Sequence, residues 1–348
     1  MKKVSAIGVV ILTICLVFSI SFAATNKVGT TAAQFLKIGV GSRAIAMGGA
    51  FVATADDATA IFWNPAGLAK LEHNEVALVH TEWLAETNFE FGSLVIPLGG
   101  GNTIGAFITM LDYGEWERTT VEQPNGTGEM FGATDLAIGV TYARQLTDRF
   151  SFGINAKYID QNIWHMNASG FALDVGTLFV TQFKNLRIGM NFSNFGGKLK
   201  MQGKDLNIFN HSPDGGSVDL DNGLDGNNEQ IPALLETASW DIPLQFRVGV
   251  AMDVVEHEYS KVTVGIDAIT PNDNLEYVNM GFEWGMKDMI FLRSGYKSLF
   301  RPDTEEGLTL GGGLKFMVKG IATLQVDYAY ADFGRLENSH RFSLGIQF

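Results

Sequence analysis

Apolar and polar side chains alternate in one short segment after another from residue 74 to residue 348. Similar runs begin near residues 136, 150, 171, 186 and 342. In LQFRVGVAMD, residues 244–253, Phe246 and Val248 share one face, whereas Gln245 and Arg247 share the other. A period of two residues is typical of β-strands whose faces meet different surroundings. The alternation therefore predicts an all-β fold built from amphipathic strands.

Two architectures share this pattern, because the apolar faces meet inside a soluble sandwich but face lipid in a membrane barrel. Charged residues make up only 18% of the chain, below the ~25% of ordinary soluble domains. The segments approach the ~9–11 residues that a tilted strand needs to cross a bilayer. Tyr142, Tyr158, Tyr296 and Tyr330 lie toward segment ends, where an interfacial aromatic girdle would be. The polar face carries Gly, Ala and charges of both signs, which suits a lumen: Asp174, Arg187, Arg247, Asp267 and Arg293.

The connections between segments favour the barrel most strongly. With the N-terminus taken as periplasmic, the periplasmic turns are short, whereas outer connections include the long segments 113–133 and 195–240. We therefore predict a 14-stranded antiparallel transmembrane β-barrel over residues 74–348, an even number as in bacterial barrels. One miscounted hairpin would leave twelve or sixteen strands. The predicted strands lie near residues 74–83, 89–98, 102–112, 134–145, 149–160, 170–180, 186–194, 241–253, 260–270, 277–286, 289–297, 307–317, 320–330 and 341–348.

The first 23 residues have the pattern of a secretory signal peptide rather than of a membrane anchor. Lys2 and Lys3 precede an uncharged stretch, and Ser21 and Ala23 supply the small residues of a cleavage site after Ala23. The only cysteine, Cys15, would leave with the signal, so no disulfide or thiol nucleophile is expected. Removing two lysines leaves 23 basic and 38 acidic residues, a net charge of −15. So acidic an exported chain is not expected to bind nucleic acid. We expect it in the cell outer membrane.

The stretch ADDATAIFWNPAGLA, residues 55–69, opens like a helix and is then interrupted. Pro65 disfavours helical geometry at Asn64, so the helix should end near Trp63. Asp56 and Asp57 can cap its free N–H groups, and Asn64 can hold the turn that follows. Because a wide barrel leaves a lumen that its wall side chains do not fill, we expect residues 24–73 to form a plug of short helices inside it. We call residues 24–73 the hatch.

The segment GVGSRAIAMGGAFVATADDATAIFWNPAGLAKLE, residues 39–72, resembles the N-terminal hatch of the long-chain fatty acid transporter (FadL-like) family of outer-membrane barrels. It looks most like the PorV/PorQ branch of that superfamily. The resemblance covers about fifty residues and implies a fourteen-stranded barrel whose lumen the hatch occludes. The residues that carry it also include Gly41, Met47, Ala50 and Ala55, and the hatch motif itself comprises Arg43, Gly48, Gly49, Asp56, Asp57, Trp63, Asn64, Pro65, Ala66 and Gly67.

The resemblance leaves the function and the role of this motif open. It implies either an accessory of type IX protein secretion, which binds translocon or cargo, or a passive transporter of hydrophobic small molecules. A purely structural or enzymatic outer-membrane protein is the third class left open. A continuous apolar pocket behind the hatch would favour transport, whereas an exposed apolar patch on the outer loops would favour a protein partner. The motif could only shape the plug or could also contact a ligand. We expect Arg43 to pair with an acid of the wall rather than with a substrate carboxylate.

Other motifs give little support to catalysis or to a cofactor. Residues 39–44 fit a dinucleotide fingerprint, but no parallel βαβ unit surrounds them. His257 and Glu258 lack the second histidine of a zinc protease, and no G-x-S-x-G occurs. We therefore expect a protein that is not an enzyme and has no cofactor or bound metal.

Three further segments carry separate predictions. In the acidic segment 212–230, Asp219, Asp221 and Asp225 could bind calcium, although the order of an EF-hand is absent and a solvated loop is favoured. The next segment, 232–240, is predicted to fold over the barrel mouth as a short helix. The last strand ends in Phe348, which resembles the signal read by the barrel assembly machinery.

Overall fold

A computed structural model describes residues 27–209, 232–318 and 320–348 of the chain. Fourteen antiparallel strands form one closed barrel, because the first strand pairs with both the second and the last. The fourteen-stranded barrel is thus confirmed. The strands are β1 Glu75–Glu82, β2 Asn88–Gly99, β3 Asn102–Glu117, β4 Met130–Thr147, β5 Phe150–Ile163, β6 Met166–Val180, β7 Arg187–Gly196, β8 Gln245–His257, β9 Ser260–Pro271, β10 Tyr277–Met286, β11 Ile290–Leu299, β12 Leu308–Val318, β13 Ala322–Asp332 and β14 Asn338–Gln347.

The two faces of the strands have the predicted orientation. On β8, Phe246 and Val250 are exposed on the outer surface, whereas Gln245, Arg247 and Ala251 are buried toward the lumen. Each of the fourteen wall strands pairs with a neighbour on both sides, so the barrel has no open edge, as a lipid-exposed wall requires. No helix among the described residues is long and apolar enough to cross a membrane.

The hairpin of β3 and β4 projects beyond the outer rim. The last residue of β3 that pairs with β2 is Asp112, whereas β3 continues to Glu117 and pairs there with β4 alone. Five residues of extended chain add about 16 Å to the strand. Residues 113–117 and 130–133 of the predicted outer loop are therefore strand, and Trp116 and Phe131 form a cross-strand aromatic pair there.

The described part of the hatch passes through the lumen from end to end. Its N-terminal residues lie at the outer mouth, where the Ala32 N–H donates to the Asp241 carbonyl over 2.9 Å. The chain then descends to Glu75, at the opposite end of the barrel. The barrel thus begins at the end that carries the short turns, whereas the described hatch begins at the end that carries the long connections, a position that alternation along the strands could not predict. The hatch contains α1 Ser42–Ala46, α2 Ala60–Trp63 and 3-10 turns at Gln34–Lys37 and Pro65–Lys70.

The long outer connection contains short strands where a helix was expected. Within residues 232–240, Pro232–Leu234 pairs with Asn207–Phe209, and Ser239–Trp240 pairs with Leu199–Lys200. The predicted helix is wrong because these segments find extended partners across the loop, a contact that local apolarity does not reveal. The proposed signal peptide and the candidate calcium residues Asp219, Asp221 and Asp225 lie outside the described residues. Within the described ranges, no group of three or more His, Cys, Asp or Glu side chains could hold a metal ion.

Candidate functional site

The broken helix of the hatch is shaped by side chains next to it in sequence. Asp57 accepts hydrogen bonds from the Thr59 N–H at 2.9 Å and the Thr59 hydroxyl at 2.5 Å, and α2 begins one residue later. Asp56 does not cap this helix but pairs with Arg43. The helix ends at Trp63, and Asn64 is extended at φ −161°. Pro65 then starts the following turn, for which its fixed φ is suited.

Asn64 connects three parts of the molecule. Its Oδ1 accepts from the Ala66 N–H at 3.2 Å, which holds the turn. Its Nδ2 donates to the Val52 carbonyl of the hatch at 2.8 Å and to the Thr177 carbonyl of β6 at 3.0 Å. The side chain is fully buried, so all three bonds are shielded from water. Asn64 therefore fixes the turn and joins it to the barrel wall.

Wall glycines bring the hatch backbone directly against the strands. A Cβ added to Gly153 of β5 would lie 2.5 Å from the Ala66 nitrogen, and one on Gly311 of β12 would lie 2.5 Å from the Ala46 Cβ. Gly281 and Gly295 similarly face the turn at Met47. Such separations are too short for any real side chain. The hatch is thus seated on flat strips of the wall.

Within the hatch, three motif glycines are required by geometry. Gly48 and Gly49 adopt left-handed φ values of 67° and 73°, which glycine tolerates best. A Cβ on Gly67 would collide with the Ala55 carbonyl. Each of these glycines therefore occupies a position where the backbone geometry or a close backbone contact leaves no room for a side chain.

Wall side chains make hydrogen bonds to backbone groups of the hatch at the end of α1 and after it. Asp267 Oδ2 accepts from the Phe51 and Val52 N–H groups at 2.8 and 2.9 Å. Thr309 accepts from the Gly48 N–H and donates to the Ala46 carbonyl. Sequence reasoning identified Asp267 only as a lumen charge and missed Thr309 altogether. Alternation could place both in the lumen but could not assign a partner to either.

Trp63 makes hydrogen bonds both within the hatch and to the wall. Its indole N–H donates to the Val40 carbonyl at 2.9 Å, and its own carbonyl accepts from Asn191 of β7 at 2.9 Å. The Arg247 guanidinium lies over its ring, 4.8 Å from the centroid. The cation–π contact gives this buried wall charge a partner within the hatch.

Arg43 joins the hatch to the wall through charge. Its guanidinium makes a two-pronged contact with Glu283 of β10, from Nε at 2.8 Å and from Nη2 at 3.0 Å. Nη1 contacts Asp56 at 2.5 Å and Asp57 at 3.2 Å. Glu283 also accepts from Arg293 at 2.6 Å. The structure places Arg43 against a wall acid, and bidentate pairing makes this contact specific as well as strong.

Apolar side chains fill part of the outer half of the lumen. Phe35 of the hatch packs in one buried cluster with the inward-facing wall residues Phe89, Phe91 and Phe107. Phe91 and Phe107 stack with their centroids 6.1 Å apart. Charged groups face the lumen in the same half, because Asp135 and Arg341 are buried there and pair along the ladder with Leu111 and Thr81. The lumen is therefore of mixed polarity, with an apolar cluster beside buried charges.

The N-terminal end of the hatch is clamped at the outer mouth by Asp273, which follows β9. Its Oδ2 accepts from the Thr31 hydroxyl, from Gln34 and from Lys37, at 2.7 to 2.8 Å. Burial opposes ionisation, but these hydrogen bonds and the Lys37 charge together lower the pKa of Asp273. The carboxylate is therefore stabilised in its charged form.

The outer face carries exposed aromatic groups on the projecting hairpin and the turn beside it. Trp116 and Trp164 are each about 40% exposed and lie on either side of Phe131, with centroid separations of 5.9 and 6.2 Å. Arg118 lies over the Trp164 ring at 5.4 Å. We call Trp116, Phe131 and Trp164 the outer aromatic cluster. Exposed aromatic groups of this kind occur both in interfacial girdles of membrane barrels and in contact sites for proteins.

Comparison with known proteins gives one family match and several similar structures. The family model described as "Type IX secretion system protein PorV" matches residues 21–225. No curated protein matches the chain. The CymD monoaromatic hydrocarbon channel superposes with a TM-score of 0.56 at 13% identity, covering 89% of this chain and 97% of that one.

Two further transporters have similar structures. The Pseudomonas putida toluene transporter TodX gives a TM-score of 0.54, and the Ralstonia pickettii toluene transporter TbuX gives 0.52. Each is 12% identical and covers 89% of this chain and 97% of its own. At such identities the likeness establishes a shared fold only.

Proposed function

The chain belongs to the PorV family of type IX secretion system proteins, and we propose that it serves this secretion as an accessory that binds translocon or cargo at its outer face. In this role the lumen is a structural core rather than a conduit. The chain then acts by recognition and carries out no catalysis. We also propose that it reaches the outer membrane through cleavage after Ala23 and that the assembly machinery reads Phe348.

The seating of the hatch carries this proposal. Passage of a substrate through the lumen would require separating the Ala66 backbone from Gly153 and breaking the bonds from Asn64 to Val52 and Thr177. The same movement would take Arg43 away from Glu283 in a buried environment, where an unpaired charge is costly. A plug held by so many coupled contacts is suited to a permanently closed barrel.

Two other observations distinguish a protein partner from a small hydrophobic substrate. The cavity beside the hatch, about 180 Å³, is lined mainly by charged and polar groups. An apolar compound would gain little there, because each polar group would lose its solvent. The outer aromatic cluster instead offers Trp side chains, which often anchor protein interfaces. Passive transport therefore remains the weaker alternative.

The proposal is tested by replacing Trp116 and Trp164 together by alanine in the native host. Phe183→Ala is the matched control, because Phe183 is also aromatic and is 67% exposed, but lies in a periplasmic turn. We expect the double variant to insert normally, yet to retain secreted cargo in the periplasm and to lose co-purification with the translocon. The control should secrete normally.

The transport alternative makes the opposite forecast. Normal cargo export in the double variant, and in a strain lacking the whole chain, would refute a role in secretion. A simultaneous loss of uptake of toluene or a long-chain fatty acid would then favour the transporter. The double variant and the Phe183→Ala control need equal amounts of heat-modifiable barrel for the comparison to count.

A further inference from the structure

A charged cavity of about 180 Å³ lies on the periplasmic side of the hatch. Arg43 and Asp56 of the hatch line its inner end. Its walls include Lys261, Asp288 and Gln347, which lie at or beside the periplasmic ends of β9, β10 and β14. The cavity is therefore accessible from the periplasm and is separate from the outer aromatic cluster.

A buried guanidinium in the lining of this cavity has a donor that the described residues leave unpaired. Arg293 has a fully buried side chain, and it donates from Nε to Glu283 at 2.6 Å and from Nη1 to Asp327 at 2.5 Å. Its Nη2 has no hydrogen-bond partner in the described part of the chain. Buried donors are nearly always paired in folded proteins. A hydrogen-bond acceptor placed in the cavity within reach of Nη2 would give this last guanidinium nitrogen a partner.

Lys315 of β12 lines the same cavity and faces Gln325 across the strand pair. Its ammonium makes no ion pair with any residue that the structure describes. Most of the nearby acids are already engaged, because Asp56, Asp57 and Glu283 all contact Arg43. Among the described residues, Arg293 and Lys315 therefore each have an unpaired donor, whereas the charges that contact Arg43 are already in ion pairs.

We propose that this cavity binds a carboxylate presented from the periplasm, with Arg293 Nη2 and Lys315 Nζ as its donors. The lining contains five basic and four acidic side chains. A single negative charge would thus be accepted, whereas a doubly charged phosphate would be repelled by the surrounding carboxylates. The carboxylate could belong to an acidic side chain of a polypeptide or to a free organic acid, which share this chemistry.

The test uses the full barrel purified in detergent and rhodamine-labelled peptides with blocked ends. We expect the peptide Gly-Gly-Glu-Gly-Gly to raise its fluorescence anisotropy on binding, and the matched peptide with Gln in place of Glu to bind at least tenfold more weakly. Lys315→Gln should weaken the Glu peptide about tenfold, the size of one charge-assisted hydrogen bond. Lys315 has no described partner, so this variant should fold.

Lys184→Gln is the control, because Lys184 is an exposed lysine in the periplasmic turn between β6 and β7. It should change binding less than twofold. Competition by propionate, which carries a single carboxylate, at the same concentration as the peptide would support the carboxylate site and identify a free acid as a sufficient ligand, whereas tighter binding of the peptide would identify a polypeptide. Equal binding of the Glu and Gln peptides, or equal effects of the two lysine variants, would overturn the proposal.

Discussion

Gly153→Ala should loosen the hatch while leaving the barrel intact. The new Cβ would lie 2.5 Å from the Ala66 nitrogen and 2.6 Å from the Pro65 carbonyl oxygen. Relief requires a separation of about 3.4 Å, so the turn must move inward by nearly 1 Å. The strand cannot yield instead, because Gly153 is paired on both sides in the β-ladder.

The cost follows from the contacts that this movement breaks. The bond from Asn64 to the Thr177 carbonyl, now 3.0 Å, and that from Asn191 to the Trp63 carbonyl, now 2.9 Å, would both become too long. Two net hydrogen bonds contribute about 2 kcal/mol, and residual overpacking adds about 1 kcal/mol. We therefore expect the free-energy cost of local opening of the hatch to fall by about 3 kcal/mol, which raises the population of the open state about a hundredfold.

Hydrogen-exchange mass spectrometry on the purified barrel measures this opening directly. Amides in residues 60–71 should exchange about a hundredfold faster in Gly153→Ala, while those of β8 and the heat-modifiability should not change. Gly345→Ala is the matched control, because Gly345 also faces the lumen but its added Cβ would meet nothing closer than 3.7 Å. Equal exchange in the two variants would refute direct seating of the hatch on wall glycines.

Three other predictions follow from the clamp, the orientation and the last strand. Because the pKa of Asp273 is lowered, the stability that its carboxylate gives to the clamp is complete above about pH 4 and is lost as the pH falls through the lowered value. A spin label at Thr30 should therefore become mobile on acidification, and should already be mobile at neutral pH in Asp273→Asn. An unchanged spectrum would contradict the clamp. Cysteine at Thr30 should react with an impermeant maleimide on intact cells, and cysteine at Asp148 should not; labelling of Asp148 alone would reverse the orientation. Deletion of Phe348 should lower the yield of heat-modifiable barrel several-fold, whereas an unchanged yield would leave Phe348 as lipid-facing packing only.

The sequence alone specified the wall and the interruption of the hatch helix. Phe246 and Arg247 belong to opposite faces because successive side chains of a strand point in opposite directions, wherever that strand lies. Likewise, α2 ends at Trp63 because Pro65 restricts the residue before it, an effect that acts through covalent neighbours. These properties are local, so they can be derived without knowledge of any distant contact.

The tertiary structure alone decided which partners meet. Arg43 finds Glu283 across 240 positions of sequence, and Ser42 finds Ser343 across 301. Such pairs depend on strand register, on barrel closure and on the depth at which the hatch sits, none of which the period of two residues contains. The N-terminal end of the hatch lies at the outer mouth for the same reason, because Asp273 reaches Lys37 only after β9 has been placed in the closed wall.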